Sequence, residues 1–307
     1  MKKSLVFLLV LISLLPATGQ TKVMRTRLLT SLSNVEIEQY LKRNDVIFVP
    51  IGTVEVHGGL PVDCEYVGAL AVAIKMAEKA DGLVLPYVAF GYPGATTVGR
   101  GTIYFRSSDF LDYLKIIARS LLRQGFKTQI YVTAHGPSYL YTAPLVREFL
   151  DETKVPILAI DLATVMANYG GDSFGQFDNF MFGAYSIVGR LEDIPLDFSG
   201  FDLPAEIPVI PEPQQMERNK LNSHTAIGFY YPTPFAHGGI PKSITASQRE
   251  QYAEEGTKYI NNLVEAMDMN AIVNSLKSQQ KWIIDELLPR YGDLLPEQNF
   301  TPTQQIH

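Results

Sequence analysis

Two segments of the chain carry acidic and histidine side chains of the kind that bind divalent metals. Glu55 and His57 follow the apolar run 45–51, and His135 follows a second run of β-forming residues at 127–134. Residues i and i+2 of an extended segment face the same side, so Glu55 and His57 can point at one ligand. Carboxylates and imidazoles suit an ion such as zinc or manganese. Spacing alone leaves two interpretations open: a metal site, or side chains that hydrogen-bond the loop backbone.

The elements that position these side chains alternate between strands and helices. Apolar, β-branched runs predict buried strands, and Ala- and Leu-rich stretches predict the helices between them. This alternation is typical of an α/β fold with a largely parallel sheet. In such folds, functional sites lie beyond the carboxyl ends of strands, where Glu55 and His135 are expected. The predicted strands are 45–51, 82–90, 127–134 and 155–160, and the predicted helices between them are 65–80, 109–124 and 139–152.

The second half of the chain is less regular. Prolines within 204–213 predict an extended surface segment. Ser247 and Glu250 form a predicted capping box at the start of a long helix, and a further helix is predicted over 271–288. No repeat or change of composition marks a boundary, so we expect a single domain over residues 20–307.

Residues 1–19 have the features of a signal peptide. Two lysines precede an apolar stretch at 5–15, and small residues at 16–19 offer a cleavage site before Gln20. We expect cleavage and a periplasmic or secreted protein. An uncleaved anchor is the alternative, which the short apolar stretch disfavours. Cys64 is the one cysteine of the chain, so the fold cannot use an internal disulfide.

The chain of 307 residues is mildly acidic. It has 26 basic and 32 acidic residues and a net charge of −6, which becomes −8 when the two signal lysines are removed. No cluster of Lys or Arg is present, which argues against a nucleic-acid partner. With 46% hydrophobic residues the chain can form a large core, and no stretch after the signal is long and apolar enough to span a bilayer.

Four motifs occur in an order known from one family. Residues 49–58 read Val-Pro-Ile-Gly-Thr-Val-Glu-Val-His-Gly, 101–103 read Gly-Thr-Ile, 125–136 run from Gly-Phe through a hydrophobic strand to His-Gly, and 239–241 read Gly-Ile-Pro. This pattern resembles the creatininase (creatinine amidohydrolase) family over most of the chain. The resemblance implies a three-layer α/β/α fold and a homo-oligomer. It also implies hydrolysis of a cyclic or linear amide C–N bond of a small molecule by a metal-activated water.

The resemblance also implies a set of metal ligands. Glu55 and His135 would hold one divalent ion, zinc or manganese, and His57 would hold the other. Glu65 would be the carboxylate that bridges them. Asp63 is the alternative, because this chain is one residue shorter than the family between His57 and the acid. The start of a helix can absorb that difference of ~1.5 Å. One or two ions per chain are expected.

The chain departs from the family where a ligand of the second metal and the proton shuttle are expected. Most members carry His-Ala-Gly-Glu-x-Glu-Thr-Ser, but residues 182–189 read Phe-Gly-Ala-Tyr-Ser-Ile-Val-Gly. After His135 the chain has Gly-Pro-Ser where the family has a Glu or Gly-Gly-Asn. Tyr185 and Asp178 are the candidate catalytic residues. Tyr185 can donate a hydrogen bond but is a poor base, with an ordinary pKa of about 10, and Asp178 is an acid that could instead cap a helix.

Three functions are consistent with these residues. The first is a metal-dependent amide hydrolase, which the survival of four potential ligands favours. The second is a catalytically inactive family member that binds a small molecule or has a structural role, which the missing His and Glu favour. The third is a cysteine hydrolase that uses Cys64 with His57. Two acidic neighbours of Cys64 disfavour it, because they raise the pKa of the thiol.

Three further residues have ambiguous roles. His224 and His237 follow no strand motif and are expected at the surface or in hydrogen bonds, although His237 is near Gly239 and could line a pocket. Arg100 precedes Gly101 and could bind a carboxylate of a substrate or form a salt bridge that fixes its own loop. Of these two roles we favour the salt bridge.

Overall fold

The computed structural model describes residues 24–169, 177–208 and 228–297, so the predicted signal peptide lies outside the described part. A four-stranded sheet in the order β2-β1-β3-β4 forms the centre of the fold, and all of its strands are parallel. The predicted α/β class with a parallel sheet is therefore confirmed. The strands are β1 (Val46–Ile51), β2 (Leu83–Val84), β3 (Thr128–Thr133) and β4 (Leu158–Asp161).

The carboxyl ends of the three longer strands are level with one another. Ile51, the last residue of β1, pairs with Thr133, the last residue of β3, and Thr133 pairs with Asp161 at the end of β4. β2 is much shorter than the strand predicted at 82–90. Tyr87 has a φ of 76°, which breaks the extended backbone required for strand pairing.

Helices cover both faces of the sheet. Alternate strand residues point to opposite faces, so Phe48 and Ile130 belong to one hydrophobic core while Val49 and Tyr131 belong to the other. The first core is completed by α2 (Cys64–Lys79), α6 (Phe177–Ile187), α7 (Ala246–Ala266) and α8 (Met269–Trp282), and the second by α1 (Asn34–Leu41), α3 (Ser107–Arg123) and α4 (Tyr139–Thr153). The short helix α5 (Leu162–Tyr169) directly follows β4. The result is a three-layer α/β/α arrangement.

The helices that connect successive strands lie on opposite faces of the sheet. The β1–β2 connection contains α2 in one layer, and the β2–β3 connection contains α3 in the other. The winding direction therefore reverses between β1 and β3. In open α/β sheets such a reversal leaves a crevice at the carboxyl ends of the two strands, and ligands bind there.

Two helix starts differ from the predicted ones. The capping box of α7 consists of Thr245 and Gln248, two residues before the predicted pair, because Thr245 is extended and its hydroxyl accepts the Gln248 amide at 3.1 Å. Asp268 caps α8 by accepting the Ala271 amide. Within the described residues, no helix has the length and apolar character needed to cross a membrane.

Candidate metal centre

The crevice between β1 and β3 collects the predicted metal-binding side chains. After β1 the chain turns so that the Glu55 amide donates to the Val62 carbonyl at 2.7 Å, which brings the loop back to the start of α2. Glu55, His57 and Glu65 reach the crevice from this loop and helix, and His135 reaches it two residues after β3. All four side chains are buried.

Glu55, Glu65 and His135 form a first ligand group. Each offers one ligand atom, and the three atoms lie within 4.8 Å of one another. Nδ1 of His135 is 2.5 Å from Oε2 of Glu65 and 3.7 Å from Oε1 of Glu55. Nε2 of His135 is 2.8 Å from the carbonyl oxygen of Tyr92 and must donate to it, because a carbonyl only accepts. This hydrogen bond fixes the orientation of the ring, so that Nδ1 faces the site. Metal-binding histidines are commonly oriented by such a bond from their other ring nitrogen.

A second ligand group consists of His57, Glu65 and His237. Oε1 of Glu65 lies 3.9 Å from Nε2 of His57 and 4.0 Å from Nε2 of His237. Glu65 thus presents one oxygen to each group, which is the arrangement required of a bridging carboxylate. Nε2 of His237 is buried and has no hydrogen-bond partner among the described residues. Such a nitrogen is costly to bury unless it binds something.

His237 is the member of the two ligand groups that the sequence did not predict as a candidate ligand. It comes from the loop before α7, and its ring centroid lies 4.4 Å from that of His57. Gly238 permits this approach: its φ is +82°, and a Cβ atom there would lie 2.5 Å from the amide nitrogen of Gly58. The available signal was a His-Gly-Gly turn in a chain with few histidines and a ligand missing after His135.

Two buried hydroxyl groups orient the carboxylates. Thr53 donates to Oε2 of Glu65 at 2.9 Å, and the Thr96 hydroxyl lies 2.9 Å from both Oε2 of Glu55 and the Pro93 carbonyl oxygen. Both threonines are almost completely buried. Hydrogen bonds of this kind hold ligating oxygens in place and tune their affinity for a metal.

The electrostatics of the site favour a cation. Burial, and then the charge of Glu65, raise the pKa of Glu55 to about 8. Burial alone would raise the pKa of Glu65, but His135 outweighs it and lowers that pKa to about 2. Burial would likewise lower the pKa of His135, but Glu65 and Glu55 raise it to about 9. For His237, burial and then His57 lower the pKa to about 4. In the absence of a metal, bound protons therefore offset the negative charge of the buried carboxylates. A divalent ion can replace these protons.

The other predicted residues lie in a neighbouring hydrogen-bond network or outside the described part. Tyr185 donates to Oδ1 of Asp63 at 2.6 Å, and Arg190 contacts Oδ2 at 2.6 Å. Asp63 is therefore engaged by these two residues and lies outside both ligand groups. Burial, followed by Asp63, raises the pKa of Tyr185. Asp178 lies in α6, but its side chain is outside the described part, as is all of His224.

Cys64 has the surroundings of a core residue. It is fully buried, and burial, followed by the charge of Glu65, raises the pKa of its thiol well above the ordinary value. A thiolate nucleophile requires the opposite shift and access to a substrate. The geometry therefore gives no support to a cysteine hydrolase.

A cavity of about 420 Å³ is lined in part by residues that are close in the chain to His57 and His237. Its walls come from the residues on either side of His57, from the loop before Gly101 and from the loop that leads to His237. The lining residues are Val56, Gly58, Val98, Arg100, Pro234 and Phe235. A volume of this size accommodates a small molecule.

The fold and the two ligand groups define a three-layer α/β/α protein with a candidate centre for two metals. The family model Creatininase, described as creatinine amidohydrolase, matches residues 30–181, about half of the chain. The chain belongs to the creatininase family, as its motifs indicated.

Solved structures share this fold. A crystal structure of creatinine amidohydrolase (creatininase) has a TM-score of 0.56 and 17% identity, over 82% of this chain and 99% of that chain. A Zn-Zn type mutant creatininase has 16% identity over 80% of this chain and 99% of its own, and a creatininase with Mn has 15% over 79% and 99%; both have a TM-score of 0.51. Similarity at this level shows a common fold.

A curated relative from Thermotoga maritima matches part of the chain. It is named 3-dehydro-scyllo-inosose hydrolase and is 27% identical over 129 residues, which make up 41% of this chain. The match spans 41% of that relative's own length.

Proposed function

We propose that the protein is a metal-dependent hydrolase that cleaves an amide or cyclic-amide C–N bond of a small molecule. The observation that carries this proposal is the pair of ligand groups that share Glu65. Membership of the creatininase family supports it. The lost histidine and glutamate of the family motif do not empty the site, because His237 supplies a nitrogen to the second group from a different loop.

The residues fit two divalent ions, zinc or manganese. Glu55, Glu65 and His135 would hold one ion, and His57, Glu65 and His237 would hold the other. Imidazole nitrogens and carboxylate oxygens are the donors that both metals accept. When bound, such ions polarise a carbonyl and lower the pKa of water, so that water can lose a proton and act as a nucleophile near neutral pH.

The side chains around these groups position the ligands. The proton on Nε2 of His135 is committed to the Tyr92 carbonyl, so His135 does not serve as the proton shuttle. The hydroxyl proton of Tyr185 is committed to Asp63 at the start of α2. We therefore assign Tyr185 to stabilising the start of α2 through Asp63 rather than to proton transfer.

A catalytically inactive binder is the second candidate function. Phe182, Ala184 and Tyr185 occupy the segment where the family carries its acid–base residues, and in this chain they are buried in the core. The same metal centre would then bind a small molecule without cleaving it.

A hydrolysis screen on the zinc- or manganese-loaded protein separates the two candidates. The panel comprises cyclic ureides, lactams and linear N-acyl amides, together with creatinine and 3-dehydro-scyllo-inosose, the compounds in the names of the similar proteins. We expect turnover that disappears on chelation and in His57→Ala. Binding of panel compounds without turnover would support the inactive binder instead.

The predicted export, the signal peptide and the homo-oligomer remain proposals. Cleavage before Gln20 is checked by N-terminal sequencing of the protein isolated from its native compartment, and the oligomer by light scattering.

A further inference from the structure

Arg100 is the charged residue in the wall of the cavity, whose other walls come from the chain neighbours of His57 and His237. The remaining lining residues are apolar side chains and one glycine. Arg100 is exposed, and it forms no ion pair or hydrogen bond with any residue in 24–169, 177–208 or 228–297. The salt bridge favoured from the sequence is therefore not found within these ranges. Among the described residues, nothing occupies this guanidinium, and its place in the cavity wall lets it contact a ligand there.

The backbone holds Arg100 in a defined position relative to the candidate metal centre. Gly99 packs against the loop of Glu55 and His57 so closely that a Cβ atom would lie 2.2 Å from Cγ1 of Val56. The Val56 amide donates to the Thr102 hydroxyl at 3.1 Å, on the other side of Arg100. Arg100 is thus carried by a segment tied on both sides to the metal-ligand loop.

The chemistry of the wall selects one kind of ligand group. A guanidinium presents two parallel N–H donors that match a carboxylate, and this pairing is stronger and more directional than a neutral hydrogen bond. No second basic residue lines the cavity among the described residues, and phosphate sites usually gather several donors or a helix N-terminus. One guanidinium without a second basic group therefore suits a planar ligand group with a single negative charge, which is a carboxylate.

We propose that Arg100 is a specificity-determining residue that binds a carboxylate of the substrate while the scissile amide lies at the metal-ligand groups. The inference rests on the proposed function and names its substrate class: small amides or cyclic amides that carry a carboxylate. The carboxylate of the substrate would then face Arg100, and its amide carbonyl oxygen would face the bound ions. Neutral amides of the same size bind more weakly.

The test uses paired metal-binding probes of equal length. Succinic monohydroxamic acid ends in a carboxylate, and its primary-amide analogue is neutral. The glutaric acid pair extends the reach by one methylene. Each probe is titrated calorimetrically into the zinc-loaded full chain and into Arg100→Gln, Arg100→Lys and the control Arg106→Gln. Arg106 pairs with Asp109 and is not a lining residue.

We expect the wild-type protein to bind the acid of at least one pair about tenfold to a hundredfold more tightly than its neutral partner. Arg100→Gln should remove this preference while leaving the neutral probe unchanged, Arg100→Lys should retain part of it, and Arg106→Gln should retain all of it. Equal binding of acid and amide in both pairs would overturn the inference and leave the proposed function standing. Loss of the preference in Arg106→Gln would also overturn it. Metal-independent binding, or none, would overturn the proposed function and the inference with it.

Discussion

Nε2 of His237 lies 3.5 Å from Oε1 of Glu55 and belongs to a group that shares Glu65 with the group of Glu55. A histidine from the loop before α7 thus reaches the carboxylate of Glu55 in the loop after β1 and that of Glu65 in α2. In the proposed metal centre, His237 would take the place of the ligand that is missing after His135, so a site for two metals is compatible with a sequence that lacks the His and Glu of the family motif.

The two histidines at opposite ends of the site should control different ions. His237→Ala removes a nitrogen from the second group alone, and His135→Ala removes one from the first. We expect each variant to retain one ion per chain instead of two, measured by mass spectrometry after dialysis. Competition with a chelator should show that the two remaining ions differ in affinity. Unchanged metal content in His237→Ala would remove this residue from the site.

The Thr96 hydroxyl should affect metal affinity without being a ligand. Thr96→Val deletes the hydroxyl contacts with Glu55 and with the Pro93 carbonyl and leaves a side chain of similar shape. We expect the affinity for the first ion to fall about tenfold to a hundredfold, as seen when partners of ligands are removed. Thr97→Val is the matched control, because it also deletes a contact with the carbonyl three residues earlier, and Gly94 is the one partner of the Thr97 hydroxyl in the described part of the chain. Equal affinities in the two variants would contradict the assignment.

Metal uptake should release protons. At pH 7 the metal-free protein holds a proton on Glu55, with a pKa of about 8, and on His135, with a pKa of about 9, while Glu65 is already ionised. Both protons must leave before these groups can bind an ion, so affinity rises with pH and levels off above pH 9. Calorimetry in two buffers of different ionisation enthalpy should report release of close to two protons at pH 7. A binding constant that does not vary between pH 6 and 9 would contradict this.

Tyr185 should contribute to stability and not to metal content. Tyr185→Phe removes one of the two partners of the Asp63 carboxylate, so we expect a loss of about 1–2 kcal/mol in the free energy of unfolding. Tyr259→Phe is the control, because the Tyr259 hydroxyl has no hydrogen-bond partner among the described residues. Urea unfolding and metal analysis of both variants test this. Metal loss in Tyr185→Phe at unchanged stability would assign Tyr185 to the site itself.

The sequence predicts most of the sheet because strands and helices alternate with clear boundaries. The strands at 45–51 and 127–134 were predicted within a residue or two of β1 and β3. The strand predicted at 82–90 is too long because Tyr87 has a positive φ. That conformation depends on surrounding contacts, such as the hydrogen bond of 2.6 Å that the Tyr87 amide donates to the Tyr66 hydroxyl. Local patterns do not contain such contacts.

The sequence likewise predicts only part of the candidate site. Glu55 and His57 follow β1, Glu65 opens the helix that comes after their loop, and His135 follows β3, so a parallel α/β sheet brings them to one edge. His237 could not be placed from the sequence, because no strand or helix pattern fixes where its loop returns. Its position depends on the close backbone contact between Gly238 and Gly58, which becomes visible only in three dimensions.

Metal content of the purified chain tests the central claim most directly. The measurement is inductively coupled plasma mass spectrometry of protein prepared without chelator, dialysed extensively, and repeated after reloading with zinc or manganese. Two shared ligand groups predict two ions per chain. No retained ion in either preparation would contradict the proposed metal centre and the hydrolase that depends on it.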